Sequence, residues 1–161
     1  MRLKTAHITN FRCIEDSIAF DVDNVTCLVG KNESGKTTLL QALHKLNPHR
    51  AEDGDFDRET EYPRRFVNLY KERHPNAEAE VLNTEWELTK EEQGLLIERL
   101  GPAAAVLTTV RLRKGYDNEL TWWFDDLAET GIVRALLDGS DLFDEERADL
   151  LQRIPSGIGL P

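Results

Sequence analysis

No stretch of the 161-residue chain approaches the ~18 consecutive apolar residues that a membrane-spanning helix needs. The start, Met1-Arg2-Leu3-Lys4 followed by Thr5, His7 and Thr9, has no apolar signal core. Neither a membrane protein nor an exported one is expected, and a cytoplasmic location is. Cysteine is scarce: Cys13 and Cys27 stand in apolar, strand-like surroundings without a CxxC or Cys/His spacing. A disulfide framework and a zinc site therefore have no support, and a reducing compartment fits. Positive charge is also in short supply, with 20 Lys and Arg against 30 Asp and Glu and a net charge of -10. Such a surface does not coat phosphate backbones, which are held by clustered Lys and Arg. Any role on nucleic acid must come from a local patch or from another part.

What is present is the composition of a globular domain, 40% hydrophobic and 31% charged, at a length that suits one compact unit. Residues 2–9 and 17–22 read as short strands joined through Asn10-Phe11-Arg12, and Val25-Thr26-Cys27-Leu28-Val29 reads as a buried strand. From Gly35 to about Leu46, Leu39, Leu40, Ala42, Leu43 and Leu46 recur at helical spacing, and Asn47-Pro48 stops the helix. Residues 50–77 are polar, with six acids between Glu52 and Glu61 and prolines at 63 and 75, and read as a long surface excursion. Ala79 to Leu88 alternates like a strand. Thr89-Lys90-Glu91-Glu92 opens a helix with a capping box, ended by Gly101-Pro102. Residues 107–113 and 119–124 flank Lys114-Gly115-Tyr116-Asp117-Asn118 as the arms of a hairpin, and 126–154 have a helical pattern broken at Gly131 and Gly139-Ser140.

The chemistry lies in Gly30-Lys31-Asn32-Glu33-Ser34-Gly35-Lys36-Thr37, a gapless G-x-x-x-x-G-K-[ST], read between a strand and a helix. A loop that wraps a triphosphate must point successive backbone N–H groups inward and let backbone approach oxygen closely, which Gly30 and Gly35 permit. Lys36 would place its ammonium on the β- and γ-phosphates as the catalytic cation, and Thr37 would offer its hydroxyl to Mg²⁺. Thr38 and the amides from Ser34 onward would complete the cradle, helped by the positive end of the helix. ATP with Mg²⁺ is the implied cofactor.

Lys4 to Phe20, "KTAHITNFRCIEDSIAF", followed by "VTCLVGKNESGKTTLLQAL", resembles the N-terminus of the ABC-type ATPase heads of the RecF, SMC and OLD families. The resemblance covers roughly the first 47 residues and rests on Asn10-Phe11-Arg12 and on asparagine at the third loop position, Asn32. Glu33-Ser34 departs from the Gly-[SA] of SMC proteins and is similar to the N-E-[SA]-G-K variant of OLD-like ATPases. The resemblance implies an α/β P-loop NTPase fold, a partial ABC-type head with an antiparallel β-subdomain. In this layout 1–47 hold the strand pair, loop and first helix, 48–78 a surface loop, 79–125 the β-subdomain with its helix, and 126–161 a helical segment running to a cut. It implies that Arg12 reaches the phosphates or the adenine side, and that Asn32 contacts the γ-phosphate or orders the loop. It also implies a C-terminal lobe belonging to the same parent protein, head dimerisation around ATP, DNA as the object of the work, a nuclease domain or subunit, and settings such as DNA repair or phage defence.

Such a head further needs a signature motif, then four apolar residues ending Asp-Glu, then a switch histidine. "LTWWFDD", Leu120 to Asp126, imitates the acidic strand with Asp125, but lacks the Glu and sits on a hairpin arm. "LDGSD", Leu137 to Asp141, imitates the signature but comes after that strand instead of before it. Asp53, Asp55 and Asp57 alternate as in a calcium loop, yet Arg58 and Arg64 stand where glycine and glutamate belong. His7, His44, His49 and His74 have no metal spacing. Two other readings remain open: a small self-contained P-loop phosphotransferase with Arg64-Arg65 as its lid pair, and a non-catalytic nucleotide-sensing module.

Overall fold

The computed structural model describes residues 1–32 and 34–124. Its strands are β1 (Arg2–Phe11), β2 (Ile14–Asp16), β3 (Phe20–Asp21), β4 (Glu80–Glu87), β5 (Thr109–Gly115) and β6 (Leu120–Trp123). They hydrogen-bond in the order β2-β1-β4-β5-β6, with β3 also pairing on β1. The helices are α1 (Lys36–His44), α2 (Arg58–Glu61), α3 (Tyr70–Arg73) and α4 (Lys90–Leu100), with 3-10 turns at Ala51–Gly54, Arg64–Leu69 and Pro102–Val106.

Two compact units divide these residues. The larger holds Leu3–Glu85 and Leu112–Thr121. Within it β1 runs antiparallel to β2 with Phe11 opposite Ile14, so Arg12-Cys13 is a two-residue turn. Arg12 sits there at φ 53, a left-handed conformation that costs a side-chain-bearing residue roughly 1–2 kcal/mol. Alternation along β1 sends Ala6 and Ile8 into the core, where Phe11, Val81, Leu82 and Ala42 of α1 join them. The cluster continues through Phe56, Tyr62, Tyr70 and Tyr116, whose rings meet edge to face.

Three of those four aromatics come from residues 50–77, so the expected surface excursion is in fact a donor to the core. Its polar groups are satisfied partly within the segment and partly by distant residues. Asp57 caps α2 by accepting from the Glu59 N–H at 2.9 Å, and the Thr60 hydroxyl holds its carboxyl below the usual carboxylate range. Phe56 is pinned by its N–H to Asn118 Oδ1 at 2.6 Å and by its carbonyl to Asn118 Nδ2 at 3.1 Å.

The expected buried strand over residues 25–29 is not formed. Val25 is 90% exposed and Val29 86%, and Cys27 is exposed as well. A strand exists only where another strand completes its hydrogen bonds, and among the described residues none pairs with 25–29. β-prone sequence is present, and among the described residues its partner is not.

The second unit holds Met1–Arg2, Trp86–Arg111 and, of the described residues, 122–124. Thr89 caps α4, its hydroxyl accepting from the Glu92 N–H while the Glu92 carboxylate takes the Thr89 N–H, a complete capping box. Gly101 ends the helix at φ 86. Leu96 and Leu100 of α4 pack on buried Ala104 and Leu107 together with Phe124. Trp122 is 53% exposed and Trp123 half-buried. Asp125, the "LDGSD" stretch and the expected helical segment at 126–154 lie outside the described residues.

Candidate phosphate-binding site

A hollow of about 410 Å³ lies at the start of α1, lined by Cys13, Asn32, Ser34, Gly35, Lys36, Thr37 and Thr38. Gly35 caps the helix at φ 90, a conformation that glycine adopts without strain. A Cβ added there would lie 3.4 Å from Ile14 Cγ1 and 3.5 Å from Cys13 Sγ, so the β1–β2 turn closes against the loop. Lys36, the first residue of α1, turns its ammonium back over the loop. It donates to the carbonyl oxygens of Gly30 at 2.8 Å and Lys31 at 2.7 Å, with Ser34 Oγ at 3.4 Å.

This cradle suits an anion. The first-turn N–H groups of a helix have no carbonyl partner inside it, and here no cap side chain accepts from them. The helix carries no acid in its first turn, and no described residue lining the hollow is acidic. A cation, free amides and the positive end of α1 therefore converge on one space of ligand size.

A second hollow, of about 480 Å³, is lined by Arg12, Thr37, Leu40, Gln41, His44, Lys45, Asp53 and Glu61. Thr37 belongs to both. Arg12 stands here, not in the first hollow: its Nη1 donates to Gln41 Oε1 at 2.5 Å and its Nη2 to Glu61 Oε1 at 2.9 Å.

A family model for the AAA ATPase domain matches residues 1–103, well over half of the chain and the whole of the loop. The chain belongs to the AAA ATPase domain family. A solved structure from work on the structural biochemistry of ATP-driven dimerization and DNA stimulated activation of SMC ATPases is 13% identical, with a TM-score of 0.41 over 96% of this chain and 93% of that one. No curated protein matches.

In this AAA ATPase domain the residues read from sequence are thus placed as follows. Asn32, Ser34, Gly35, Lys36, Thr37 and Thr38 line one hollow, and Gly30 joins them through its carbonyl on Lys36. Arg12 is in the adjoining hollow, and Glu33 lies outside the described residues. Beside these stand residues whose sequence does not mark them as site residues: Cys13, whose Sγ is 3.5 Å from Thr38 Oγ1, Lys45 and Glu61, together with Gln41, a glutamine to which the sequence assigns no role. The spacing of Thr37, Gln41 and Lys45 at i, i+4, i+8 was a signal for one helix face. Nothing local marks Glu61. Arg65, one of the Arg64-Arg65 pair of the phosphotransferase reading, is engaged elsewhere, paired with Glu15 and stacked on Phe66. Among the described residues no His/Cys/Asp/Glu group could hold a metal, and no helix is long and apolar enough to cross a membrane.

Proposed function

We propose that this AAA ATPase domain is the nucleotide-binding lobe of an ABC-type ATPase head, and that it binds ATP with Mg²⁺ in the hollow of residues 30–38. The observation that carries the reading is Lys36: its ammonium lies over the loop on carbonyls of Gly30 and Lys31, at the start of α1, where no side chain caps the helix. Triphosphate oxygens would take the place of those carbonyls as acceptors. Gly30, Asn32, Glu33, Ser34, Gly35 and Thr38 would complete the cradle, and Thr37 would hold Mg²⁺. The metal supplies neutralisation of phosphate charge; Lys36 supplies a fixed positive charge where negative charge develops in transfer.

The carboxylate that orients the attacking water and the signature that closes over the nucleotide are to come from a complementing lobe and a second head. Two features support this. The sequence has no run of four apolar residues followed by Asp-Glu, and the exposed β-prone segment 25–29, which leads into the loop, has no partner strand among the described residues, a partner that such a lobe would supply. By its resemblance to RecF, SMC and OLD heads, the assembled head would work on DNA in the cytoplasm, in repair or in nuclease-coupled phage defence.

The test is calorimetric titration of the chain with ATP, with and without Mg²⁺, alongside a phosphate-release assay. Weak magnesium-dependent binding with negligible turnover is expected. Robust hydrolysis by the chain alone would show that the whole catalytic machinery is inside it, and no binding would remove the reading.

A further inference from the structure

The second hollow contains a buried carboxylate for which the nucleotide reading has no use. We propose that Glu61 is a positioning residue, which with Gln41 sets the Arg12 guanidinium beside the nucleotide. This inference rests on the reading of residues 30–38 as a nucleotide site.

Arg12 is held three ways. Its backbone, strained at φ 53, donates its N–H to the Glu61 carbonyl at 2.5 Å, and its guanidinium divides between Glu61 Oε1 and Gln41 Oε1. Strain of this kind persists only where the surroundings over-determine it. Glu61 is itself immobilised. It is 6% exposed, and its second oxygen takes Lys45 Nζ at 3.0 Å and the Asp57 N–H at 3.1 Å. A carboxylate so fully engaged is a fixed anchor for the arginine. The Arg12 side chain stays 42% exposed, so part of its donor fork is open to a ligand.

Direction comes from α1. Thr37, Gln41 and Lys45 share one helix face, and Thr37 lines both hollows. Gln41 therefore holds the guanidinium on that face, one helical turn from Thr37. A carboxylate merely neutralising Arg12 would instead compete with phosphate for it, and its removal would tighten binding.

The experiment is calorimetric titration of magnesium-ATP into the chain and into Arg12→Ala, Glu61→Gln, Glu61→Asp, Gln41→Ala and the two double variants that combine Arg12→Ala with Glu61→Gln or with Gln41→Ala. Glu61→Gln is expected to weaken binding about tenfold, the effect of misplacing one charge-assisted contact. Glu61→Asp is expected to recover part of the loss. Each double variant should bind no more weakly than Arg12→Ala alone, since a positioning residue has nothing left to position. Wild-type or tighter affinity in Glu61→Gln, or additive losses in the doubles, overturns the proposal. Gln41 is exposed on α1, so Gln41→Ala keeps the fold and tests the same coupling to Arg12 even where Glu61→Gln fails to fold. A wild-type chain that binds no nucleotide overturns the site reading, and this inference with it.

Discussion

Replacing Lys36 with methionine keeps the length of the side chain and removes its charge, and the structure predicts that folding and binding respond very differently. In the free chain the ammonium makes two exposed contacts to loop carbonyls, at 2.8 and 2.7 Å. Exposed interactions of this kind contribute about 1 kcal/mol or less in total, equivalent to a fall in Tm of about 2–4 °C for a chain of this size. With a triphosphate in the hollow the same ammonium would face anionic oxygens, and two charge-assisted contacts amount to about 3–6 kcal/mol, or roughly a hundredfold or more in Kd. Calorimetric titration with magnesium-ATP, paired with thermal melts followed by circular dichroism, separates the two effects. Affinity within about threefold of wild type would refute the phosphate assignment, because ~0.6 kcal/mol is too little for a lost ammonium–phosphate contact. A Tm drop well beyond about 5 °C would instead make Lys36 a structural clasp of the loop.

Gly115→Ala should destabilise the larger unit by about 2–3 kcal/mol in urea unfolding, since the added Cβ would sit 2.6 Å from the Ala79 carbonyl oxygen and 3.3 Å from Glu80 Cα, both backbone atoms that cannot turn aside. Acid unfolding should show a component from Glu92, whose carboxyl is held down from its ordinary 4.5 to about 2, first by the Met1 ammonium and then by Thr89. The folded value lies below the unfolded one, so this contribution is whole above about pH 4.5 and fades as the pH falls towards 2; Glu92→Gln should remove that part of the pH dependence, as read by circular dichroism.

The parts of the molecule legible in its sequence are those decided by residues close together in the chain. The glycine at 35 demands a left-handed turn, the leucines after it repeat at helical spacing, and Thr89 with Glu92 closes a capping box three residues wide. The cradle of residues 30–38 was readable for the same reason. The misread parts depended on distant partners. Val25 to Val29 has strand composition, but a strand needs a neighbour, and its exposure follows from having none among the described residues. Residues 50–77 look like solvent-facing loop because charged and polar residues dominate them. Their buried positions Phe56, Tyr62 and Tyr70 follow no helical or strand period, and only contact with Tyr116 and Phe11 reveals them.

By itself, then, the sequence determined the glycine loop proposed as the phosphate cradle and the helix that follows it, because eight consecutive residues contain the whole motif. It determined nothing about what stands beside the cradle. Glu61 comes to Arg12 across 49 residues and to Lys45 at the end of α1, a meeting that only the tertiary fold brings about. Short-range dihedral preferences act before any tertiary contact exists; the pairing of buried charges needs the low-dielectric enclosure that only packing supplies.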